Sequence, residues 1–388
     1  MEEKIENKQK MDKYFETIIV GGGPGGLIAG SYLENALIIE QKKEIGKPVQ
    51  CGEGISKKAL EIQKIKPDSG WICCKIHKVE RIMPNQKIIG KSHQDIIGYT
   101  INRSRFEKFL AKKLKAKMKL NTRVVDIKKD KDTWKVTTSS GEIFKSKYLI
   151  GADGVNSIVR KLIFKNKLNT IGAIAYIIKL EKKIDTRNLK IYFDNEKYPQ
   201  GYAWIFPQSK NTANIGIGGK DRNLVKKFKD FLEEEVKKEY GKYSLIENRS
   251  GAIPLRPTEL SLFKDNVLLL GDAAGLIDPI FKGGISQAML SGKIAAQCIL
   301  ENQTSQYEKK IKMLPFANKK IIKASEIFNS FDNQTLNELG EILEEKGTSY
   351  LKTNQGLLEI KSKLCLKKNF SKIFEFFSLW WDTRDYLW

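Results

Sequence analysis

Three glycines, Gly21, Gly23 and Gly26, give the run Gly21-Gly22-Gly23-Pro24-Gly25-Gly26 the spacing G-x-G-x-x-G. In that pattern the first glycine permits a tight turn, the second lets backbone approach a pyrophosphate, and the third lets helix pack on strand. A helix starting there offers phosphates its free N–H groups and the positive end of its dipole. Glu40, closing the next apolar run Ala36-Leu37-Ile38-Ile39, stands where a carboxylate accepts ribose hydroxyls. Two further turns bear acids: Gly151-Ala152-Asp153-Gly154, with Ser157 and Arg160 beyond it, and Gly271-Asp272-Ala273-Ala274-Gly275. Asp272 is placed to hold the ribityl chain of a flavin, and the structural alternative is an aspartate capping the helix near 284–297. The three turns together predict FAD rather than NAD as cofactor.

The elements that must hold these turns show in the hydropathy pattern. Residues 15–20 read as a buried strand of the parallel-sheet kind, 27–35 as a helix and 36–40 as a second strand. Strands at 147–150 and 266–270 each open onto one of the aspartate turns. Such a set predicts one parallel sheet assembled from distant segments. Residues 171–220 alternate apolar and polar, the pattern of an antiparallel sheet with one face on a core. Residues 224–240 and 286–300 read as helices, and from 301 the chain is Lys-rich and helical in period. The expected fold class is α/β. A Rossmann-like FAD-binding domain is discontinuous over 14–60, 97–165 and 256–300, an antiparallel-sheet substrate domain takes 61–96 and 166–255, and a helical C-terminal region takes 301–388.

Composition narrows the class. The 388 residues exceed one ordinary domain, and 41% hydrophobic content is enough to bury a sizeable core. Five cysteines, at 51, 73, 74, 298 and 365, lack paired metal spacing, which fits a reducing cytoplasm and argues against a disulfide-stapled secreted chain. The polar first thirteen residues predict no signal peptide, and no run reaches the roughly 18 apolar residues of a spanning helix. A cytoplasmic protein, at most peripheral to a membrane, is expected. The net charge of +23 invites a nucleic-acid reading, but it comes from 59 Lys and only 10 Arg scattered along the chain. Arg forks are the usual tool for reading bases, so nucleic acid is not expected as a partner. Solvated faces and attraction to anionic lipid headgroups remain as readings of the charge. His77 and His93 have no partner cluster, and no metal site is expected.

The G-x-G-x-x-G turn, the terminal Glu40, Asn102-Arg103-Ser104-Arg105-Phe106-Glu107, Gly151 to Arg160 and the 271–275 turn together resemble the para-hydroxybenzoate hydroxylase-like FAD flavoproteins. Two stretches are more specific. Ile45-Gly46-Lys47-Pro48-Val49-Gln50-Cys51-Gly52-Glu53-Gly54-Ile55 resembles the segment bearing the active-site cysteine of archaeal geranylgeranyl reductases. Tyr202-Ala203-Trp204-Ile205-Phe206-Pro207, followed after eight residues by Gly216-Ile217-Gly218, resembles the Y-x-W-x-F-P…G-x-G signature of the same family. The resemblance spans residues 14 to about 300. It implies an FAD enzyme that saturates double bonds of isoprenoid chains, foremost the geranylgeranyl chains of archaeal ether lipids. Residue by residue it implies that Gly25 and Gly26 contact the pyrophosphate with Arg103 nearby, and that Glu40 meets the adenosine ribose and Val124 the adenine side. Cys51, Gly52 and Gly54 would lie along the isoalloxazine; Asp272, Gly284 and Ile285 would bind the ribityl and pyrimidine end; Asp153 belongs to the same cofactor set. The chain departs from the pattern at Asn102, where Asp is usual, and at Phe281-Lys282-Gly283-Gly284, where Thr-Gly-Gly-Gly is more common.

An isolated trisubstituted alkene has no carbonyl to accept electron density. Hydride delivery must therefore be coupled to protonation of the other alkene carbon, with tertiary-cation character developing between. Cys51 is one acid candidate, since a free thiol is still mostly protonated at neutral pH, and Tyr202 is another. Tyr202 and Trp204, two apart on a strand, share a face and would line the substrate tunnel with Phe206, their rings stabilising a developing cation. The partners implied are an isoprenoid lipid and an external electron donor, ferredoxin or a nicotinamide cofactor. Rival readings on the same scaffold are a flavin monooxygenase or halogenase, an electron-transfer flavoprotein, and a lipid-binding protein with a vestigial flavin fold. The aromatic stretch at 374–388 either packs onto the body or lies in a bilayer interface.

Overall fold

The computed structural model describes residues 14–259, 261–350 and 369–380, the side chains of 344–350 and 370 excepted. Five parallel strands form the heart of an eight-stranded sheet, in the order Val267–Leu269, Ile143–Gly151, Tyr14–Val20, Ala36–Ile39 and Lys117–Lys119. Ile18, Ile19, Ile38, Leu149 and Leu268 are fully buried in it, as strands covered on both faces require. Parallel neighbours must be joined by crossovers: a single helix links 14–20 to 36–39, whereas more than a hundred residues separate 143–151 from 267–269. The helix expected at 27–35 lies at Pro24–Tyr32. Proline at its start has the fixed φ of a first helical turn, and the strand resumes at Ala36.

A seven-stranded sheet runs in the order Tyr243–Pro254, Thr170–Leu180, Thr212–Gly219, Tyr202–Ser209, Asn188–Tyr192, Lys78–Ile82 and Ile88–Ile89. Its pairs are antiparallel except one, Asn188–Tyr192 with Lys78–Ile82, which is parallel and departs from the uniform alternation expected. The helical segment 224–240 covers one face through Phe228 and Phe231. Within the 61–96 stretch, Ile72–Ile76 does not join this sheet. It pairs with Gly98–Ile101, which also pairs with Gly54–Ser56, in a third sheet of three strands.

In the C-terminal region, Tyr307 is fully buried and its hydroxyl donates to the Leu269 carbonyl at 2.7 Å. Helix Phe370–Trp380 packs on helix Lys319–Asn329 through Phe376, whose ring centroid lies 5.5 Å from that of Phe328. This part of the aromatic stretch packs back onto the body; residues 381–388 lie outside the described residues. Among the described residues, no helix is long and apolar enough to cross a membrane.

Candidate active site

Two helix N-termini open into one cavity of about 710 Å³, within the roughly 300–1,000 Å³ of ligand pockets. Helix Pro24–Tyr32 starts from Gly23 and helix Ile285–Leu300 from Gly284, neither with a side-chain cap. The helices approach so closely that a Cβ at Gly292 would lie 2.2 Å from the Gly25 carbonyl oxygen. Unsatisfied N–H groups and two positive dipole ends therefore meet at the cavity wall, an environment that favours an anionic group.

The glycine turn is built as its spacing predicts. Gly21 has φ of 105°, and a Cβ there would lie 2.3 Å from the Ala152 carbonyl oxygen, so only glycine fits. A Cβ on Gly23 would meet nothing within 4 Å, leaving its backbone open to the cavity. Gly26 departs from the cofactor-contact role expected of it. It does not line the cavity, and its missing Cβ makes room for the Gly21 carbonyl oxygen, 2.1 Å away. Glu40 lines the cavity and is 6% exposed, its carboxylate accepting from the Gly22 N–H at 2.5 Å and the Lys42 N–H at 2.8 Å. It braces the glycine turn. Val124 lines the same end beside Thr122, whose N–H donates to the Glu40 carbonyl at 2.9 Å.

The two aspartate turns divide their labour differently from expectation. Asp153 lies at the cavity, but its carboxylate accepts from Ser157 Oγ at 2.5 Å and from the N–H groups of Ile158 and Val159 at 2.7 and 3.2 Å. It caps its own turn. Burial pushes its carboxyl above the ordinary carboxylate range, with those hydrogen bonds opposing. Asp272 caps no helix, since helix Ile285–Leu300 starts from Gly284 without a side-chain bond. It faces the cavity, burial pushing its carboxyl above the ordinary range and the Arg103 guanidinium opposing. Arg103 also lines the cavity, its Nε donating to Glu107 at 2.7 Å. Burial works against that charge, and the Glu107 carboxylate beside it is the largest of the influences that more than offset the penalty.

Cys51, Gly52 and Gly54 line the middle of the cavity, facing strand Tyr202–Ser209. A Cβ on Gly52 would lie 3.3 Å from the Phe206 ring and 3.5 Å from Trp204 Nε1. Tyr202, Trp204 and Phe206 all line the cavity, with successive ring centroids 6.0 and 6.3 Å apart. Tyr202 Oη donates to the Phe281 carbonyl at 2.5 Å, and burial, with Asp278 and Cys51 nearby, pushes the phenol well above its usual range.

A buried polar hub behind these residues had no part in the sequence reading. Asn214 Oδ1 accepts from Trp204 Nε1 at 3.0 Å, while its Nδ2 donates to the Cys51 carbonyl at 2.9 Å and to Glu53 Oε2 at 3.3 Å. Glu53, 3% exposed, also accepts from the Arg103 N–H at 2.9 Å and from Arg249 Nη1 at 2.7 Å. Its own N–H donates to Cys51 Sγ at 3.2 Å. The thiol, the indole and the arginine are thus tied into one network. Asn214 carried a signal: it stands two before Gly216, a polar side chain on the core-facing side of an apolar strand. Arg249, 196 residues from Glu53, carried none.

The family model described as geranylgeranyl reductase catalytic domain matches residues 170–253. Digeranylgeranylglycerophospholipid reductase 2 of Methanococcoides burtonii is 33% identical over 310 residues, covering 74% of this chain and 75% of its own. The chain belongs to the geranylgeranyl reductase family. The digeranylgeranylglycerophospholipid reductase of Methanocaldococcus jannaschii is 32% identical, over 77% of this chain and 81% of its own. A geranylgeranyl bacteriochlorophyll reductase-like protein of Thermoplasma acidophilum superposes with a TM-score of 0.80 at 27% identity, covering 95% of this chain and 99% of that one. The halogenase PltM, solved as a mutant in complex with FAD, shares the fold at a TM-score of 0.65 and 14% identity over 93% of this chain and 85% of its own. As a geranylgeranyl reductase family member the chain is an oxidoreductase.

Proposed function

We propose that this reductase binds FAD in the cavity and uses it to saturate carbon–carbon double bonds in the geranylgeranyl chains of an ether phospholipid. The observation that carries the reading is that one enclosure joins the glycine turn and Glu40 at one end to Cys51, Tyr202, Trp204 and Phe206 further along. The donor set fits the cofactor: uncapped helix N-termini suit a pyrophosphate, and Asp272, free of any capping role, suits a ribityl hydroxyl. Gly21, Gly23, Gly25, Glu40, Arg103, Val124, Asp272, Gly284 and Ile285 would hold FAD, with Cys51, Gly52 and Gly54 beside its ring system. Bound and reduced there, FAD supplies the hydride.

The protein's own groups supply the rest. The Tyr202 proton is committed to the Phe281 carbonyl, so Cys51 Sγ is the group that protonates the second alkene carbon. The thiolate left behind is held by the Glu53 N–H and the neighbouring Arg103 guanidinium. Trp204 and Tyr202 present ring faces to the developing tertiary cation, worth roughly 0.5–2 kcal/mol per desolvated ring. A lipid with long apolar chains resides in a membrane, and the excess of lysine suits contact with anionic headgroups there.

The test is a purification spectrum followed by one reaction. Flavin absorbance, then anaerobic reduction with dithionite and addition of a geranylgeranyl phospholipid, should give a mass gain of two hydrogens per double bond. Bound flavin that yields an oxygenated or halogenated product in air, and no saturated lipid, overturns the reading.

A further inference from the structure

The loop 278–284 holds a lysine on the cavity wall on a braced scaffold. Asp278 Oδ1 accepts the N–H groups of Ile280 and Phe281 at 2.8 and 2.9 Å, and the Asp278 N–H donates to the Gly283 carbonyl at 2.7 Å. The Lys282 N–H donates to the Asp278 carbonyl at 2.9 Å, and Tyr202 Oη pins the loop from the sheet side through Phe281. Lys282 lines the cavity next to Gly283 and Gly284, where helix Ile285–Leu300 begins. Its Nζ donates to the Pro279 carbonyl. Its φ is 59°, a conformation that residues other than glycine rarely adopt. Lys64, Lys131 and Lys165 adopt the same region, so what sets Lys282 apart is its place on the wall of a cofactor-sized cavity.

We propose that Lys282 tunes the cofactor: its ammonium stabilises the negative charge that a flavin gains on reduction and so makes the bound FAD easier to reduce. The proposal rests on the FAD reading above. The nearby N-terminus of helix Ile285–Leu300 contributes charge of the same sign, so lysine and helix act together. Asp278 of its own loop is the charge that bears on this ammonium; the other titratable groups of the cavity wall include Tyr202, Asp272, Arg103 and Cys51, and the Arg81 guanidinium lies 5.8 Å from the Phe281 ring centroid. Burial lowers the Lys282 ammonium to about 8, with Asp278 opposing, so it remains mostly charged at neutral pH.

The experiment is anaerobic redox titration of the purified flavoprotein, comparing wild type with Lys282→Met, Lys282→Gly and Lys282→Arg. At a fixed poise near the wild-type midpoint, Met and Gly should lower the reduced-to-oxidised ratio at least tenfold, which is about 30 mV for a two-electron couple. Arg should keep the ratio within threefold. Lys282→Gly removes the charge while relaxing the backbone, so it separates electrostatics from strain. A Met or Gly variant that keeps the wild-type ratio overturns the proposal. Wild-type protein that retains no FAD overturns the cofactor reading itself, a failure seen before any variant is compared.

Discussion

Trp204 stands directly opposite Gly216 in antiparallel register, and its indole fills the space that a side chain at 216 would occupy. A Cβ on Gly216 would lie 2.4 Å from Trp204 Cζ2 and 2.5 Å from the Ile174 carbonyl oxygen. The neighbouring pairs are Tyr202 with Gly218 and Phe206 with Asn214. The aromatic half of the motif and its glycine half are thus two sides of one hairpin. Small residues on one strand let large rings lie flat on the other.

Gly216→Ala should therefore displace the indole. The expected cost of overpacking is about 1–3 kcal/mol of stability. Flavin content should persist while lipid saturation falls, read by urea unfolding, flavin absorbance and product mass on the same preparation.

Asn214→Leu removes the amide while keeping approximate volume. Trp204 Nε1 and the Cys51 carbonyl lose their partner, at about 1–3 kcal/mol for each buried group left unsatisfied. Turnover should fall more than FAD affinity, because the bonds lost orient the thiol segment and the indole rather than the glycine turn. Equal losses in both would count against this positioning role.

Cys51→Ala deletes the proposed proton donor without touching the glycine turn. Turnover should drop about 10²–10⁴-fold, the range for losing a positioned acid, with the flavin spectrum retained. Unchanged saturation by Cys51→Ala would move the acid elsewhere, and Tyr202→Phe would then be the next variant assayed.

The Lys282 ammonium also gives a stability signature with a definite sign. Below about 8 both folded and unfolded chains hold this proton, and the folded chain bears the full burial penalty. Between about 8 and the unfolded lysine value near 10.4 the unfolded chain binds more protons at this site, so rising pH favours the fold. Lys282→Met should be more stable than wild type at neutral pH, and that advantage should shrink as pH rises through this window. Thermal melts of the two proteins at matched pH values check it.

Much of this architecture was legible because the strands carrying it are buried on both faces and read as continuous apolar runs. The turn at Gly21 and the shared face of Tyr202 and Trp204 follow from spacing alone, whereas the pairing of those rings with Gly218 and Gly216 shows only in the folded hairpin. The roles of the acids were harder to read. Asp153 and Asp272 each sit in a glycine-bearing turn at a strand end and line the cavity, yet only the first caps its own turn, and the following residues decide. Ser157 close behind Asp153 supplies a hydroxyl and a turn to close on, whereas the chain after Asp272 turns away through Gly275, at φ of 70°. The Glu53–Arg249 pair was invisible because partners 196 residues apart have no periodicity to betray them. The placement of Ile72–Ile76 was missed for a similar reason: a short strand reads the same whichever sheet receives it.

The cavity wall draws on residues from Val20 to Ala288, and the strand bearing the second aspartate turn, Val267–Leu269, follows in sequence every strand of the other two sheets. During synthesis no growing fragment holds a complete nucleotide site until more than two thirds of the chain has been made. With FAD in the cavity as proposed, its capture would be a late event, adding about 2.7 kcal/mol to the stability of the finished protein when free FAD stands at a hundred times the dissociation constant. Scarcity of flavin in the cell would then thin the population of this reductase through turnover of the unliganded form, before any shortage of reducing power reached its substrate.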